Sequence, residues 1–234
     1  MSLILRVDVD KPYGNSNLFT KIMSKASEDY WFPPVHSIYL YHLEEFLEYC
    51  NSERISGFIY HRICTAPNEK IIKLLIQGNH KLGMHAENTL NDATFYAELN
   101  KLKKLCPTLN IESFSKHGSG KLKLGKSHYP PYEPEKYFNW SQKFHLQFYF
   151  GNGIPKCEQD LNPIGSFYPN VFWVERDYRD DHFSSIEKII EIADNKDIPI
   201  LIHPCNYHAC RQVQDDFKYL IKLAKENNIS WKVY

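Results

Sequence analysis

The first ten residues carry ionisable side chains at a spacing that could bring them together. A short apolar run, 3–5, leads into Arg6-Val7-Asp8-Val9-Asp10. Side chains alternate faces along a β-strand, so Arg6, Asp8 and Asp10 are predicted to share one face. Two carboxylates on a buried face repel each other unless a cation or a shared proton compensates. This pattern predicts a metal or acid–base site, and a solvated strand end is the alternative.

Other predicted strands end in residues of the same chemical kind. His85 and Glu87 end a short strand near residue 81 and are two positions apart, so they share a face if the strand continues. His117 follows the strand near residue 111, and His203 follows the strongly apolar run 198–202. A polar imidazole at the end of so apolar a strand needs a hydrogen-bond partner or a chemical role. We therefore expect these side chains to converge.

The order of predicted elements places these strand ends on one edge. Apolar strands alternate with amphipathic helices along most of the chain, which is typical of βα units and a mostly parallel sheet. We predict one α/β domain over residues 1–234, a closed or distorted (β/α) barrel, with an open doubly wound sheet as the second choice. In such barrels the site forms at the carboxyl ends of the strands. No glycine-rich dinucleotide fingerprint follows the first strand.

A long connection follows the first strand. Residues 11–35 contain a predicted helix over 18–29 and then Trp31-Phe32-Pro33-Pro34. A connection of this length directly after two aspartates is a candidate active-site loop. Aromatic side chains in loops or late strands, such as Tyr13, Tyr129 and Trp173, are candidates for stacking on sugar rings, although packing is the commoner use.

Composition excludes several classes of protein. The chain has 28 lysine and arginine residues and 28 aspartate and glutamate residues. It therefore lacks the excess of basic residues that would indicate nucleic-acid binding. No apolar run approaches a membrane-spanning length, and no secretion signal is recognisable, so we expect a cytoplasmic protein without stable membrane insertion. The six cysteines show no CxxC spacing and are expected to be reduced thiols.

Four motifs together resemble the polysaccharide deacetylases, the NodB-homology (carbohydrate esterase 4-like) group. The first is the Arg-x-Asp-Val-Asp string 6–10. The second is the run 78–85, in which a glycine after a helix leads to His80 and then His85. The third is 113–118, and the last is the apolar strand that ends in His203-Pro204. Each motif is short, but all four occur in order over nearly the whole chain.

The resemblance implies a distorted (β/α) barrel, one divalent metal ion and hydrolysis of an acyl group on a sugar. Carried over by position, Asp8 is the catalytic base and His203 the general acid, while Asp10 and His85 are metal ligands. Many members have a second ligand histidine four residues after the first, where this chain has Thr89. We predict Glu87 as the third ligand because carboxylates bind Zn²⁺ well. His117 is the other candidate, and otherwise it is expected to bind substrate.

The function expected from these residues is a metal-dependent carbohydrate deacetylase, with Zn²⁺ as the expected cofactor and a sugar or cell-surface-glycan precursor as substrate. A catalytically inactive, deacetylase-like glycan-binding or regulatory protein is the alternative, and Thr89 is its best support. A metal phosphoesterase is a third reading. It would need a second metal ion, and too few further carboxylates and histidines lie near the motifs to favour it.

Overall fold

The computed structural model describes residues 1–10, 40–118 and 132–234. The predicted active-site connection 11–35 with its helix lies outside the described residues, as does Tyr129. Within the described part of the chain, no helix is both long enough and apolar enough to cross a bilayer.

Strands and helices alternate as the sequence predicts. The strands are β1 (Ser2–Val9), β2 (Gly57–His61), β3 (Lys81–Ala86), β4 (Ile111–Lys116), β5 (Phe150–Gly153), β6 (Tyr168–Asn170), β7 (Phe172–Trp173), β8 (Ile198–Ile202) and β9 (Ser230–Trp231). The helices are α1 (Tyr41–Ser52), α2 (Glu69–Gln77), α3 (Asp92–Leu105), α4 (Pro134–Phe144), α5 (Ile186–Ala193), α6 (Pro204–Ala209) and α7 (Arg211–Glu226).

The main sheet is parallel, and its order is β4-β3-β2-β1-β8-β7, with β9 also paired to β1. A second, two-stranded sheet is connected to the β4 edge of the main sheet. Gln147 bridges to Ser113 of β4, and the segment after Gln147 leads into β5, which pairs with β6. The chain then passes from β6 directly into β7. The predicted α/β fold of mostly parallel strands is confirmed. Among the described residues no strand pairing joins β6 to β7, so the pairings do not close the sheet into a barrel.

The central strand β1 is buried on both faces. Its odd-numbered residues 3–9 pack in a large core with the helices. Its even-numbered face carries Ile4, Arg6 and Asp8, and Ile4 packs in a second, smaller cluster that is largely aromatic. Members of this second cluster are Ile4, Phe58, Tyr60, Phe150, Tyr168, Val171 and Leu201. One face of β1 therefore supplies ordinary core packing, and the other supplies charged groups above an apolar base.

Gly83 makes room for the ring on which Arg6 rests. It is the register partner of Tyr60, and a Cβ at Gly83 would come within 2.3 Å of the Tyr60 ring. The guanidinium carbon of Arg6 lies 5.8 Å from the centroid of that ring. Glycine is thus required here by the close approach of a neighbouring side chain.

Two predicted boundaries differ from the structure. The aromatic run 144–150 by itself predicts a strand. In the structure Phe144 ends α4, and among these residues only Gln147 and Phe150 make strand-type pairings. The prolines at positions 130, 131 and 134 by themselves predict a loop. Pro134 instead occupies the first turn of α4, where proline has no hydrogen bond to lose.

His80, which belongs to the second motif, has a structural role. Its Nδ1 lies 3.1 Å from the backbone nitrogen of Gly57 and accepts that N–H, and its Nε2 lies 2.8 Å from Oδ1 of Asn51. This arrangement needs a neutral ring that accepts at Nδ1 and donates at Nε2. Burial lowers the pKa of His80 to about 4.

We expect His80 to make the fold sensitive to acid. In the unfolded chain histidine takes up a proton near pH 6.5, and in the folded chain only near pH 4, so the unfolded state binds more protons between these values. Stability therefore falls as pH falls through that window, by at most about 1.4 kcal/mol per pH unit. Urea unfolding at pH 7.5 and pH 5 should show a smaller difference in His80→Gln than in the wild type. Equal differences would contradict this role for His80.

Candidate functional site

The strand ends bring five predicted residues to one edge of the sheet. In the parallel register Val7 pairs with Ile202, so Asp8 and His203 follow at the same level of adjacent strands. Ser115 pairs with His85, and His117 lies two positions further along, on the same face by alternation. This register brings the carboxylates of β1 together with the imidazoles that follow β3, β4 and β8.

The Asp10 carboxylate lies among three imidazoles. Its Oδ1 is 2.9 Å from Nε2 of His85 and 3.0 Å from Nδ1 of His117. Its Oδ2 is 3.4 Å from Nε2 of His203. Burial raises the pKa of Asp10, but the three imidazoles, His117 foremost, outweigh it and hold that pKa well below its usual range. Asp10 is therefore a carboxylate ion at neutral pH.

Asp10, His85 and His117 fit a metal ion. Each offers one ligand atom, and these atoms all lie within 4.8 Å of one another. One carboxylate and two imidazoles are a donor set that Zn²⁺ binds in catalytic sites, where three protein ligands leave a further position open. Nδ1 of His85 lies 2.7 Å from the Ser115 hydroxyl, which orients the ring so that Nε2 faces Asp10.

Asp8 is held beside this group by Arg6. The guanidinium donates from Nε to Oδ1 at 3.0 Å and from Nη2 to Oδ2 at 2.7 Å, and both side chains are buried. Arg6 also donates to the carbonyl of Gly151 at 2.7 Å and to Oδ1 of Asn152 at 2.8 Å. Burial raises the pKa of Asp8, and Arg6 together with His85 lowers it below its usual value. Asp8 Oδ2 lies 3.5 Å from Nε2 of His85, so Asp8 is next to the three-residue cluster.

His203 has a carboxylate partner that the sequence did not reveal. Oε1 of Glu175 accepts the backbone N–H of His203 and lies 2.9 Å from its Nδ1. Burial lowers the pKa of His203, but Glu175 and Asp10 outweigh it and raise that pKa well above its usual value. Nδ1 is thus fixed on Glu175, and Nε2 faces the cluster. Trp173 stacks on the His203 ring with centroids 5.7 Å apart.

Glu87 lies outside the group that the structure brings together. Its Oε1 accepts a hydrogen bond of 2.5 Å from Nε of Arg62, whose side chain is fully buried. The reason is local: β3 ends at Ala86, so the alternation that would place Glu87 beside His85 stops one residue too early. The backbone N–H of Glu87 instead points to the carboxylate of Glu98, at 3.0 Å. His117, the other candidate for the third ligand, is the residue that lies together with Asp10 and His85.

Burial shifts the titration of two further groups around the site. It lowers the pKa of His117 to about 3, against the opposing effect of Asp10. It also raises the pKa of Glu98 to about 7, and the nearby Glu87 carboxylate adds to this shift. Thr89 stands where many polysaccharide deacetylases have a histidine, and its side chain is fully buried. The imidazoles of the cluster are thus buried, while the Asp10 carboxylate is partly exposed to solvent.

Comparison with known proteins supports the fold. No protein-family model and no curated protein sequence matches the chain. Among solved structures, the chain is similar to the catalytic domain of a peptidoglycan N-acetylglucosamine deacetylase from Eubacterium rectale, with a TM-score of 0.52 and 11% sequence identity. The match covers 99% of this chain and 88% of that chain. At this identity the similarity shows a shared fold and nothing more.

Proposed function

We propose that this chain is a metal-dependent hydrolase that removes an N- or O-acyl group, foremost acetyl, from a carbohydrate. The observation that carries the proposal is the convergence of Asp10, His85 and His117 beside two further acid–base groups, Asp8 and His203. The shared fold with the catalytic domain of a peptidoglycan N-acetylglucosamine deacetylase supports it.

The three clustered residues would hold the metal ion, for which we propose Zn²⁺. A carboxylate with two imidazoles and no thiolate suits Zn²⁺ in a catalytic setting. When bound in such a site, a divalent ion polarises an acyl carbonyl and lowers the pKa of a coordinated water. The chain itself supplies the proton transfers.

Asp8 acts as the base that takes the proton of the attacking water. Both of its oxygens are bound by Arg6, which holds the carboxylate in one orientation beside His85. A bidentate arginine fixes a carboxylate more firmly than a single hydrogen bond does. The base is therefore pre-oriented toward the point where the metal ligands meet.

His203 protonates the leaving amine or alkoxide from Nε2. Glu175 anchors Nδ1 of the same ring at 2.9 Å, which leaves Nε2 directed toward Asp10 and the cluster. Amide hydrolysis requires a proton on the leaving nitrogen, and an imidazole whose far nitrogen is held by a carboxylate is suited to deliver it. Trp173 covers one face of this ring and limits its movement.

The proposal predicts that Zn²⁺ binding and deacetylation depend on His117 rather than on Glu87. Metal-free protein should take up about one equivalent of Zn²⁺. The Zn²⁺-loaded protein should then release acetate from short N-acetylglucosamine oligomers or from an acetylated sugar ester. His117→Ala removes a ligand, so both binding and acetate release should be lost. Glu87→Ala should still take up about one equivalent of Zn²⁺, with any change confined to its affinity, because its carboxylate is bound to Arg62 and is not in the three-residue cluster.

Isothermal titration of the metal-free protein with Zn²⁺ measures binding by each of the two variants. An acetate-release assay on the same preparations, after loading with Zn²⁺, measures their activity. Glu87→Ala is the matched control, since it also removes a polar side chain next to the site. Loss of Zn²⁺ in Glu87→Ala with retention in His117→Ala would reverse the assignment of the third ligand. Binding of the sugar oligomer with no Zn²⁺ uptake and no acetate release would instead favour a glycan-binding protein and refute the hydrolase.

A further inference from the structure

Asp10, one of the proposed metal ligands, follows β1 directly and lies one residue beyond the end of that strand. β1 ends at Val9, so the backbone of Asp10 is outside the strand that orders the residues before it. Two side chains from the turn after β2 hold this strand end. Nη1 of Arg62 donates to the carbonyl of Asp10 at 2.5 Å, and Oγ1 of Thr65 donates to the carbonyl of Val9 at 2.8 Å.

Arg62 also reaches the loop that follows the second ligand. Its Nε donates to Oε1 of Glu87, two residues after His85. The backbone of Glu87 is held in turn by the buried carboxylate of Glu98, which accepts its N–H and that of Asn88. One guanidinium therefore joins the backbone of Asp10, at the end of β1, to the loop that follows β3, the strand that carries His85.

The turn that presents Arg62 is itself ordered and buried. Residues Ile63–Thr65 form a short 3₁₀ turn, and the backbone N–H of Arg62 donates to Oγ1 of Thr65 at 3.0 Å. Nδ1 of His61 lies 2.6 Å from the carbonyl of Thr65. Arg62 and Thr65 are completely shielded from solvent. The guanidinium is thus placed by a rigid turn.

We propose that Arg62 is a positioning residue of the metal centre, which sets the distance between Asp10 and His85 by binding the backbone of Asp10 and the Glu87 side chain in the loop just after the strand of His85. This inference rests on the proposed metal ligands. A metal ion constrains its ligands narrowly, and partners outside the coordination sphere that orient the ligands typically change metal affinity 10–100-fold when mutated. Lysine has a single ammonium group in place of the planar fork, so it cannot bind both acceptors in the same geometry.

The test is the Zn²⁺ affinity of the folded protein, measured without any assay of activity. Arg62→Met should raise the Kd for Zn²⁺ by roughly 10–100-fold, Arg62→Lys should raise it less, and Thr65→Val should also raise it. The visible absorption of the Co²⁺-loaded protein should change in Arg62→Lys, because the ligand geometry around the ion is altered.

Arg179→Met is the matched control. Arg179 is also a buried arginine. It donates to the backbone carbonyls of Trp173 and Val174 and pairs with the carboxylate of Asp216. None of these partners belongs to the three-residue cluster. It should lose stability while the Kd for Zn²⁺ stays at the wild-type value. A purely structural Arg62 would behave in the same way.

The outcomes separate this inference from the proposed function. If the wild type binds no Zn²⁺, the proposed metal site is wrong and this inference fails with it. If the wild type binds Zn²⁺ and Arg62→Lys and Thr65→Val bind it equally tightly with an unchanged Co²⁺ spectrum, only the role of Arg62 is refuted. These two variants make smaller changes than Arg62→Met, so they decide the question even if Arg62→Met does not fold.

Discussion

Asp10→Ala is expected to abolish stoichiometric Zn²⁺ binding and to reduce acetate release to background, while the fold remains. Asp10 supplies the one carboxylate of the cluster and contacts His85, His117 and His203 through its two oxygens. Since loss of an orienting partner alone costs 10–100-fold in affinity, loss of this ligand should weaken Zn²⁺ binding at least about 100-fold. Without the metal ion several kcal/mol of transition-state stabilisation are lost, so turnover should fall by more than roughly 10³-fold.

The fold should survive because Asp10 lies outside β1 and does not belong to the hydrophobic core. Metal analysis after dialysis, titration with Zn²⁺ and thermal unfolding without metal measure the three expectations separately. One equivalent of tightly bound Zn²⁺ in Asp10→Ala would show that the metal site lies elsewhere.

The alternation of residues in the first strand was sufficient to predict one half of the site. Arg6, Asp8 and Asp10 were assigned to a single face from spacing alone, and the structure places Asp8 and Asp10 against the same imidazole, His85. The apolar run before His203 predicted the bounds of β8, because a continuous apolar segment of this length suits a strand that is covered on both faces. Such patterns are local, so they can be read from one sequence.

Contacts that depend on where a strand ends, or on distant segments, could not be predicted in this way. Glu87 was placed beside His85 by extending β3 one residue beyond its end at Ala86. Glu175 lies 28 residues before His203 in an irregular segment, and only the pairing of β7 with β8 brings the two together. Arg62 carries no signal of its own, because its partners Asp10 and Glu87 come from two other strand ends.

His203→Ala is expected to slow deacetylation of an N-acetyl sugar by roughly 10²–10⁴-fold, the usual range for loss of a general acid or base. An amine is a poor leaving group unless it is protonated as the bond breaks. Nε2 of His203 is directed toward the cluster, since Nδ1 is held by Glu175. The variant should still bind about one equivalent of Zn²⁺, because His203 is not among the three clustered ligands.

An acetyl ester with a phenolic leaving group separates the acid from a structural residue. A phenolate leaves without a proton, so His203→Ala should hydrolyse the aryl ester at a rate much closer to that of the wild type. The ratio of the two rates is the decisive quantity, because a general loss of active protein lowers both equally. An equal loss on the amide and on the aryl ester, or loss of Zn²⁺ from the variant, would identify His203 as a ligand or as a structural residue.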